Sequence, residues 1–405
     1  MNILIINCGS SSLNYKIYTL GPAGYLEVAC HGKAHRVGVL GSEMAFIEHH
    51  LGLESIRKET AIPDHRTAAN LVLDFIDTHC LEINAIGHRF VHGGSTFQGS
   101  VILDRAVRQQ LQELLALAPI HNPNSLSVID VCQQRLPNVA QYLTFDTAFH
   151  ASLPEWSYRY ALPVEVSRKF NLRKYGFHGL SYQFISTQMA TYLGKPLEEL
   201  KLIVCHLGTG GSSISAISKG QSLDTSMGYS PLAGLMMSTR TGDLDPLLPV
   251  YMLANLGYSS QALDDLFNKK SGLLGVSGIS SDMRDVLAAS QEGDDRATLA
   301  VEMYTYRLRK MIGAYTCLLG GADALVFTGD IGAQIPHVRA LACQGLQWCG
   351  IAMDAVANAA APSGQLAEIG AADSRTRIFS APTDEELVIA QEGLKLLKEV
   401  GYAGL

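Results

Sequence analysis

The sequence is short of charged side chains and contains no long apolar run. Charged residues make up 17% of its 405 positions and hydrophobic residues 47%, a balance that supports large buried cores and excludes a disordered chain. No apolar run approaches the roughly 18 residues that a membrane helix needs. A net charge of −7 provides no basic surface for nucleic acid or an anionic membrane. We therefore expect a cytoplasmic protein that binds neither nucleic acid nor membranes.

No pair of cysteines has the C-x-x-C spacing of a redox or zinc site, although the chain contains eight cysteines. A chain of this length does not need disulfides to support its core, so we expect reduced and mostly buried thiols. The sequence also lacks the glycine-rich loop of P-loop enzymes and the G-x-G-x-x-G spacing of dinucleotide sites. The length itself predicts two domains.

What the sequence does contain is a strand–turn–strand pattern that occurs twice. An apolar run enters a turn of small residues and leaves as a second strand. Its two copies occupy residues 2–7, 8–12 and 13–18, and residues 202–207, 208–213 and 214–217. The repetition predicts two duplicated domains.

Other elements alternate between strand and helix. The apolar spacing predicts a strand at 324–328 and helices at 66–80, 104–117, 182–192, 297–319 and from about 336 to 345. This alternation indicates an α/β architecture, with the crossover between domains near residues 143–163. A last helix is predicted from Thr383, where Thr383 and Glu386 match a capping box. That assignment leaves Glu385 without a structural task and available to a metal ion.

The two small-residue turns have the composition of an anion site. Glycine lets backbone N–H groups approach a phosphate closely, and serine or threonine hydroxyls add further donors. For either turn alone, a tight hairpin without a ligand is an equal alternative. Two equivalent turns in one chain favour a polyphosphate that lies between two domains.

Two arginines stand beside glycine-containing segments. Arg89 ends a predicted strand shortly before Gly93 and Gly94, and Arg240 lies in a loop rich in hydroxyl and carboxylate side chains. A guanidinium presents a planar fork that matches carboxylate or phosphate oxygens. The alternative is a surface ion pair, which carries more weight for Arg89 than for Arg240.

Histidines and an aspartate complete the set of candidates. His121 and His178 lie in loops without metal-ligand spacing, so they are either catalytic donors or idle exposed side chains. Asp146 follows a predicted strand, where a carboxylate either orders Mg²⁺-bound water, acts as a base or caps the strand. Anion-binding turns, arginines, histidine donors and carboxylates are together what phosphoryl transfer needs.

The chain resembles the acetate kinase family, a branch of the sugar kinase, heat-shock chaperone and actin superfamily, over nearly its whole length. The resemblance rests on NCGSSS at 7–12, GHRFVHGG at 87–94, HNP at 121–123, FDTAFH at 145–150, YGFHG at 175–179, DTSMG at 224–228 and PTDEEL at 382–387. It implies an α/β fold of two duplicated ribonuclease H-like (actin-like ATPase) domains facing across a cleft. Residues 1–150 with the C-terminal helix 385–405 would form one domain, and residues 151–384 the phosphodonor-side domain. It further implies a homodimer that transfers a phosphoryl group reversibly from ATP to acetate, giving acetyl phosphate and ADP, with Mg²⁺ or alternatively Mn²⁺.

The resemblance also implies roles for individual residues. The predicted catalytic residues are His178, Arg89, Arg240, Asp146 and His121. Acetate would contact Asn7 and Arg89 and an apolar pocket of Val91, Ile120, Phe177 and Pro231. The phosphodonor would contact Ser10, Ser12, His206, Gly208, Thr209, Gly210, Asp282, Met283, Arg284, Gly329, Asp330 and Gly332. A metal ion would contact Asn7 and Glu385.

Departures from the family pattern lie on the phosphodonor side. Asn14 stands in place of a lysine, for which Lys16 is a candidate substitute. Thr209 replaces an asparagine, and Asp330 and Ala333 replace a small residue and an acid. Because Thr209 is similar to the pyrophosphate-using members, inorganic pyrophosphate is the alternative donor, and propionate is an alternative acceptor. A sugar kinase is disfavoured by the apolar pocket, and a non-catalytic actin-like protein by the retained arginines.

Overall fold

The structure, a computed structural model, describes residues 1–22, 24–39, 41 and 43–402. The chain divides into two compact units, Met1–Phe149 together with Asp384–Leu405, and His150–Thr383. Residues 403–405, which belong to the last predicted segment, lie outside the described residues. Within the described ranges, no helix has the length and apolar character needed to span a membrane.

The first unit is built on an eight-stranded sheet. Its strands are β1 (Asn2–Cys8), β2 (Ser12–Leu20), β3 (Leu26–His35), β4 (Phe46–Leu51), β5 (Glu54–Glu59), β6 (Ala85–Phe90), β7 (Val101–Ile102) and β8 (Ala140–Phe145). Their order across the sheet is β5-β4-β3-β2-β1-β6-β8-β7. β1 pairs antiparallel with β2 and parallel with β6, and β6 pairs parallel with β8. The apolar residues of β1 are buried, as expected for the central strand of such a sheet.

The helices that follow these strands are α1 (His65–Thr78), α2 (Arg105–Glu113) and α3 (Asn122–Arg135). Asp104 caps α2 by accepting the backbone N–H of Val107. The prediction of one helix over 104–117 is wrong, because α2 ends at Glu113 and a 3₁₀ turn follows at Leu115–Leu117. The backbone N–H of Leu114 bonds three residues back, which tightens the last turn and ends the α-helix. No apolar pattern in the sequence predicted α3.

The second unit is built on a six-stranded sheet. Its strands are β9 (Lys201–Gly208), β10 (Gly211–Ser218), β11 (Gln221–Thr225), β12 (Ala324–Thr328), β13 (Ala367–Glu368) and β14 (Arg377–Ser380). Its helices are α4 (Glu155–Tyr158), α5 (Val164–Lys169), α6 (Gly179–Leu193), α7 (Leu247–Asn255), α8 (Ser260–Lys269), α9 (Gly272–Ser277), α10 (Met283–Gln291), α11 (Asp295–Leu319), α12 (Gly329–Gln334), α13 (Pro336–Cys343) and α14 (Ala355–Ala360). The strand order is β11-β10-β9-β12-β14-β13.

The two sheets repeat one arrangement. In the first unit β3, β2 and β1 run antiparallel to their neighbours, and β6 and β8 then continue parallel to β1. In the second unit β11, β10 and β9 run antiparallel, and β12 and β14 continue parallel to β9. The predicted pair of duplicated α/β domains is therefore confirmed, and both small-residue turns join the equivalent pair of strands.

The last helix, α15 (Glu385–Glu399), packs against β1, β6 and β8 of the first unit. Gly393 is required there, because a Cβ at this position would overlap the ring of Tyr142, whose hydroxyl donates to Ile389 O at 2.9 Å. The capping box predicted from Thr383 and Glu386 is wrong. The N-cap is Asp384, whose carboxylate accepts the backbone N–H of Leu387 at 3.0 Å.

Candidate active site

The first cluster of candidate residues lies where three strands of the first unit end. Asn7 lies near the end of β1, Arg89 near the end of β6, and Asp146 directly follows β8. Because parallel strands present their carboxyl ends at one edge of a sheet, these side chains come together. The topology thus collects residues that are far apart in the sequence.

Arg89 is held in this cluster by three hydrogen bonds, which leave two of its five N–H donors. Its Nε and Nη2 donate to the two carboxylate oxygens of Asp146 at 2.8 and 2.5 Å, and Nη1 donates to Oδ1 of Asn7 at 2.9 Å. Burial lowers the pKa of Arg89, but the charges of Asp146 and Glu385 outweigh burial and hold it above its ordinary value. The alternative of a surface ion pair is therefore wrong, since the pair is largely buried. Asp146 is an ion-pair partner and not a strand cap.

Acidic groups outnumber basic groups around Arg89. Oε2 of Glu385 lies 3.8 Å from Nε of Arg89, and only 14% of the Glu385 side chain is exposed. Burial raises the pKa of Glu385 to about 7, with Arg89 opposing and the charges of Asp146 and Glu386 adding to the rise. Glu385 thus lies in an environment that disfavours its charge unless a further cation is present.

Glu386 belongs to the same cluster and not to a helix cap. It accepts a hydrogen bond from Nδ2 of Asn7 at 2.8 Å, and its Oε2 lies 3.6 Å from Nζ of Lys16. Lys16 also pairs with Asp384 at 2.8 Å. No local pattern predicts these contacts, because Asn7 and Glu386 are 379 positions apart.

The donor set of this cluster fits a hydrated divalent cation. Mg²⁺ prefers oxygen ligands and usually keeps several waters, so one or two protein groups suffice. Glu385 supplies a carboxylate oxygen, and the negative charges of Asp146 and Glu386 lie near it. The amide oxygen of Asn7 is a less available ligand, because it already accepts a hydrogen bond from Arg89. In the described part of the chain, no three His, Cys, Asp or Glu side chains form a ready-made metal cage.

The second cluster lies in the second unit, around the glycine that begins β10. His178 is the N-cap of α6 in a left-handed conformation (φ +60°), and its Nδ1 lies 2.7 Å from Oγ of Ser213. Its ring stacks on that of His206 at 4.1 Å between centroids, and Nδ1 of His206 lies 2.8 Å from Oγ of Ser181. These contacts fix the orientation of both imidazoles, and neither Ser181 nor Ser213 was identified from the sequence.

Arg240 reaches the same glycine. A Cβ placed on Gly211 would lie 3.2 Å from Nη1 of Arg240 and 3.6 Å from Nε2 of His178. Arg240 forms no ion pair with any described residue, and the hydrogen bond shown for it is a long one of 3.9 Å to Sδ of Met237. Burial lowers the pKa of Arg240. A partly buried guanidinium without a carboxylate keeps N–H donors that could bind an external anion.

The turn between β9 and β10 is bound to the start of α12. The backbone N–H of Thr209 donates to Oδ1 of Asp330 at 2.8 Å, and its hydroxyl donates to Oδ2 at 2.7 Å. Gly329 permits this approach, because its φ is +78° and a Cβ there would lie 2.5 Å from Leu207 O. Asp330 therefore lies on the predicted phosphate turn itself.

The other predicted donor contacts are more varied. Asp282 caps α10 and receives a bidentate hydrogen bond from the exposed Arg284, while the side chain of Met283 is fully buried in the apolar core. Gly332 is buried within α12, and its carbonyl accepts from Arg339 at 3.0 Å. Because its side chain is fully buried, Met283 cannot contact a phosphodonor through that side chain.

The remaining predicted residues are described unit by unit. In the first unit, Ser10 is exposed, Ser12 is half-buried, and His121 is the half-buried N-cap of α3. Val91 is buried directly after β6, whereas Ile120 is 48% exposed. In the second unit, Phe177 is buried, Pro231 is half-buried, and Gly208 and Gly210 lie at the β9–β10 turn.

The chain is similar to known proteins over nearly its whole length. The pattern of the acetokinase family matches residues 2–391. The chain is 44% identical to the acetate kinase of Caldicellulosiruptor saccharolyticus, over 98% of this chain and 100% of that one. The crystal structure of acetate kinase from Entamoeba histolytica matches with a TM-score of 0.88 and 40% identity, over 98% and 100% of the two chains. A propionate kinase from Francisella tularensis matches with a TM-score of 0.88 and 36% identity, over 96% and 98%.

Proposed function

The chain belongs to the acetokinase family, and on that premise we propose that it transfers the γ-phosphoryl group of ATP reversibly to acetate. The bond between acetate oxygen and γ-phosphorus forms while the bond to the β-phosphate oxygen breaks, and acetyl phosphate and ADP result. The observation that carries the proposal is the convergence of Arg240 and His178 on Gly211. This arrangement offers an uncompensated cation and an oriented imidazole to an incoming anion.

We assign the chemistry mainly to charge neutralisation. An acetate oxygen is already nucleophilic, so no strong base is needed, and the barrier is set by the charge on the moving phosphoryl group. Arg240 would bind that group through its fork. His178 would donate from Nε2, the nitrogen on the Gly211 side, while Ser213 holds Nδ1. His121 is proposed as a second donor to the phosphate.

We assign acceptor binding in the first unit to Arg89, Asn7 and Val91. Asp146 holds the guanidinium of Arg89 in place through two hydrogen bonds, so it acts as a positioning residue. The proposed cation is Mg²⁺, held by Glu385 with water and with Asn7 as the second candidate. When bound, it neutralises charge on the donor phosphates.

A second donor, inorganic pyrophosphate, is favoured by one observation. Thr209 donates two hydrogen bonds to Asp330 on the phosphate turn. The family resemblance implies an asparagine and a small residue at these two positions in an ATP site. ATP remains our proposal for the donor, because Gly329 and Gly332 leave a glycine-containing floor beside that turn. Propionate is the alternative acceptor.

We also propose a homodimer formed through α7. No residue of α7 is buried, although Leu247, Leu248, Val250, Tyr251 and Leu253 are large apolar side chains. An exposed apolar helix of this kind is typical of an interface. Sedimentation equilibrium should give twice the chain mass, and Val250→Glu should shift it towards the monomer. A monomeric wild type would contradict this assignment.

The activity is tested by trapping acetyl phosphate as its hydroxamate. Purified protein with acetate and Mg–ATP should form acetate-dependent hydroxamate, and EDTA should abolish it. Parallel reactions with Mg–pyrophosphate and with propionate decide between the alternatives. Absence of product with every donor and acceptor would contradict the proposed function.

A further inference from the structure

The phosphate turn between β9 and β10 already carries an anion, and that anion belongs to the chain. Thr209 offers two hydrogen-bond donors, its backbone N–H and its hydroxyl, and both go to the carboxylate of Asp330 at 2.8 and 2.7 Å. Oδ1 of Asp330 also accepts the backbone N–H of Ile331 at 3.1 Å. Amide and hydroxyl donors on a turn of this kind are the ones that a phosphate oxygen would use. A donor phosphate and Asp330 therefore compete for the same hydrogen bonds.

The competing carboxylate has one cation within electrostatic reach, Arg284, and that cation is hydrogen-bonded to Asp282. Asp330 forms no ion pair with any residue in the part of the chain that the structure describes. The hydrogen bonds of Arg284 to Asp282, to which Nη2 donates at 2.5 Å, are the main cause of the raised pKa of Arg284. The charge of Asp330 adds a smaller contribution to that rise. A polyphosphate that approaches the turn therefore meets a carboxylate that has no ion-pair partner among the described residues.

The contact can open without a large penalty in stability. Both Thr209 and Asp330 are exposed, so water can replace their hydrogen bonds when they separate. Asp330 lies in the first turn of α12, directly after Gly329, and a Cβ added to Gly208 would make only an ordinary contact with its Oδ1, at 3.4 Å. The contact is thus positioned by the fold but not locked into the core.

We propose that Asp330 is an internal competitor of the phosphodonor, a latch on Thr209 that the donor must displace, and that it determines the donor affinity of this protein. The inference rests on the proposed function, because it takes the β9–β10 turn as the donor site. It predicts weaker donor binding than the same turn would allow without the carboxylate, whether the donor is ATP or pyrophosphate. Acetate binding should not depend on Asp330.

The test measures binding of Mg–ATP and of Mg–pyrophosphate by calorimetry. Asp330→Gly removes the carboxylate that accepts the two Thr209 hydrogen bonds, together with its charge. At least one phosphodonor should therefore bind to this variant about tenfold more tightly than to the wild type. Asp330→Asn removes the charge but keeps one acceptor on the turn, so its gain should be smaller. Asp373→Asn changes the same charge at an exposed position that forms no hydrogen bond shown by the structure, and it should bind like the wild type.

The outcomes separate this inference from the proposed function. Donor affinity that is unchanged or weaker in Asp330→Gly, with a native circular dichroism spectrum, overturns the latch. If Asp330→Gly does not fold, Asp330→Asn decides, and an unchanged affinity there overturns the latch as well. Steady-state kinetics should show a lower donor KM and an unchanged acetate KM. Failure of the wild type to phosphorylate acetate would count against the proposed function alone. The calorimetric comparison of donor binding to the wild type and the Asp330 variants would still test the latch.

Discussion

The two arginine clusters of this protein have opposite charge balance. In the first unit, Arg89 is surrounded by Asp146, Glu385 and the amide oxygen of Asn7. In the second unit, Arg240 lies next to His178 and has no carboxylate partner among the described residues. The same residue type therefore lies in two environments: Arg89 is held by carboxylates in excess, and Arg240 has no described carboxylate partner, as our proposal of an anion site requires.

This difference predicts that the two arginines respond differently to removal. Arg89→Ala leaves Asp146 buried and unpaired, so the free energy of unfolding should fall by about 3–5 kcal/mol, and activity should be lost as well. Urea denaturation measures the stability. Replacing both partners, Arg89→Met with Asp146→Leu, should recover most of the stability but no activity. A loss below about 1 kcal/mol in the single variant would mean that the ion pair does not hold this cluster together.

Arg240→Ala should separate activity from stability. Turnover should fall by about 10²–10³-fold, because an uncompensated charge on the transferred group is left without its donor. The free energy of unfolding should stay the same or rise, because no ion pair is broken. Arg377→Ala, which removes an exposed arginine paired with Glu368, is the matched control and should retain wild-type turnover. Near-normal turnover in Arg240→Ala would remove the contrast between the two clusters.

Acid should destabilise both units through buried neutral histidines. Burial lowers the pKa of His49 and His88 in the first unit and of His150 in the second to about 4. The unfolded chain therefore takes up protons first, so stability is complete above pH 6.5 and is lost as the pH falls towards 4. At pH 5 the loss should be about 2 kcal/mol per histidine. Glu385, with its raised pKa, opposes this loss in the first unit as the pH falls from 7 to 4.5.

Thermal unfolding between pH 5 and 8 measures this effect. His150→Gln should flatten the pH dependence, because Gln can still hydrogen-bond but does not titrate. A melting temperature that does not change from pH 8 to pH 5 would contradict the assignment of these histidines as buried and neutral.

The smallest expected effect concerns acceptor length. If Val91 limits the length of the carboxylic acid that binds, Val91→Ala should improve kcat/KM for propionate relative to acetate by about tenfold. The reason is that one methylene contributes about 1–3 kcal/mol to discrimination. The hydroxamate assay with both acids measures the ratio. An unchanged ratio would move acceptor selectivity to Phe177 in the second unit.

Local patterns in the sequence predicted the central strands of both sheets, but not α3 or the helices α7 to α10. Apolar runs on either side of small-residue turns predicted β1, β2, β9 and β10, and 3.6-residue spacing predicted α1, α6 and α11 within a few residues of their observed ends. Positions of helix ends were harder. Asp384, and not Thr383, caps α15, and α2 stops at Glu113, because either end depends on which competing backbone hydrogen bond the packed chain selects.

The sequence by itself determined the α/β class, the duplicated strand–turn–strand units and the residue types available for phosphoryl chemistry. Those features depend on periodicity and composition within a few residues. Only the tertiary structure decided which of these residues form an ion pair, Arg89 with Asp146, and which neutral donors bind a carboxylate, Asn7 with Glu386 and Thr209 with Asp330. The physical reason is that a side chain's electrostatic environment is set by neighbours that are distant in sequence, brought together by the ends of parallel strands.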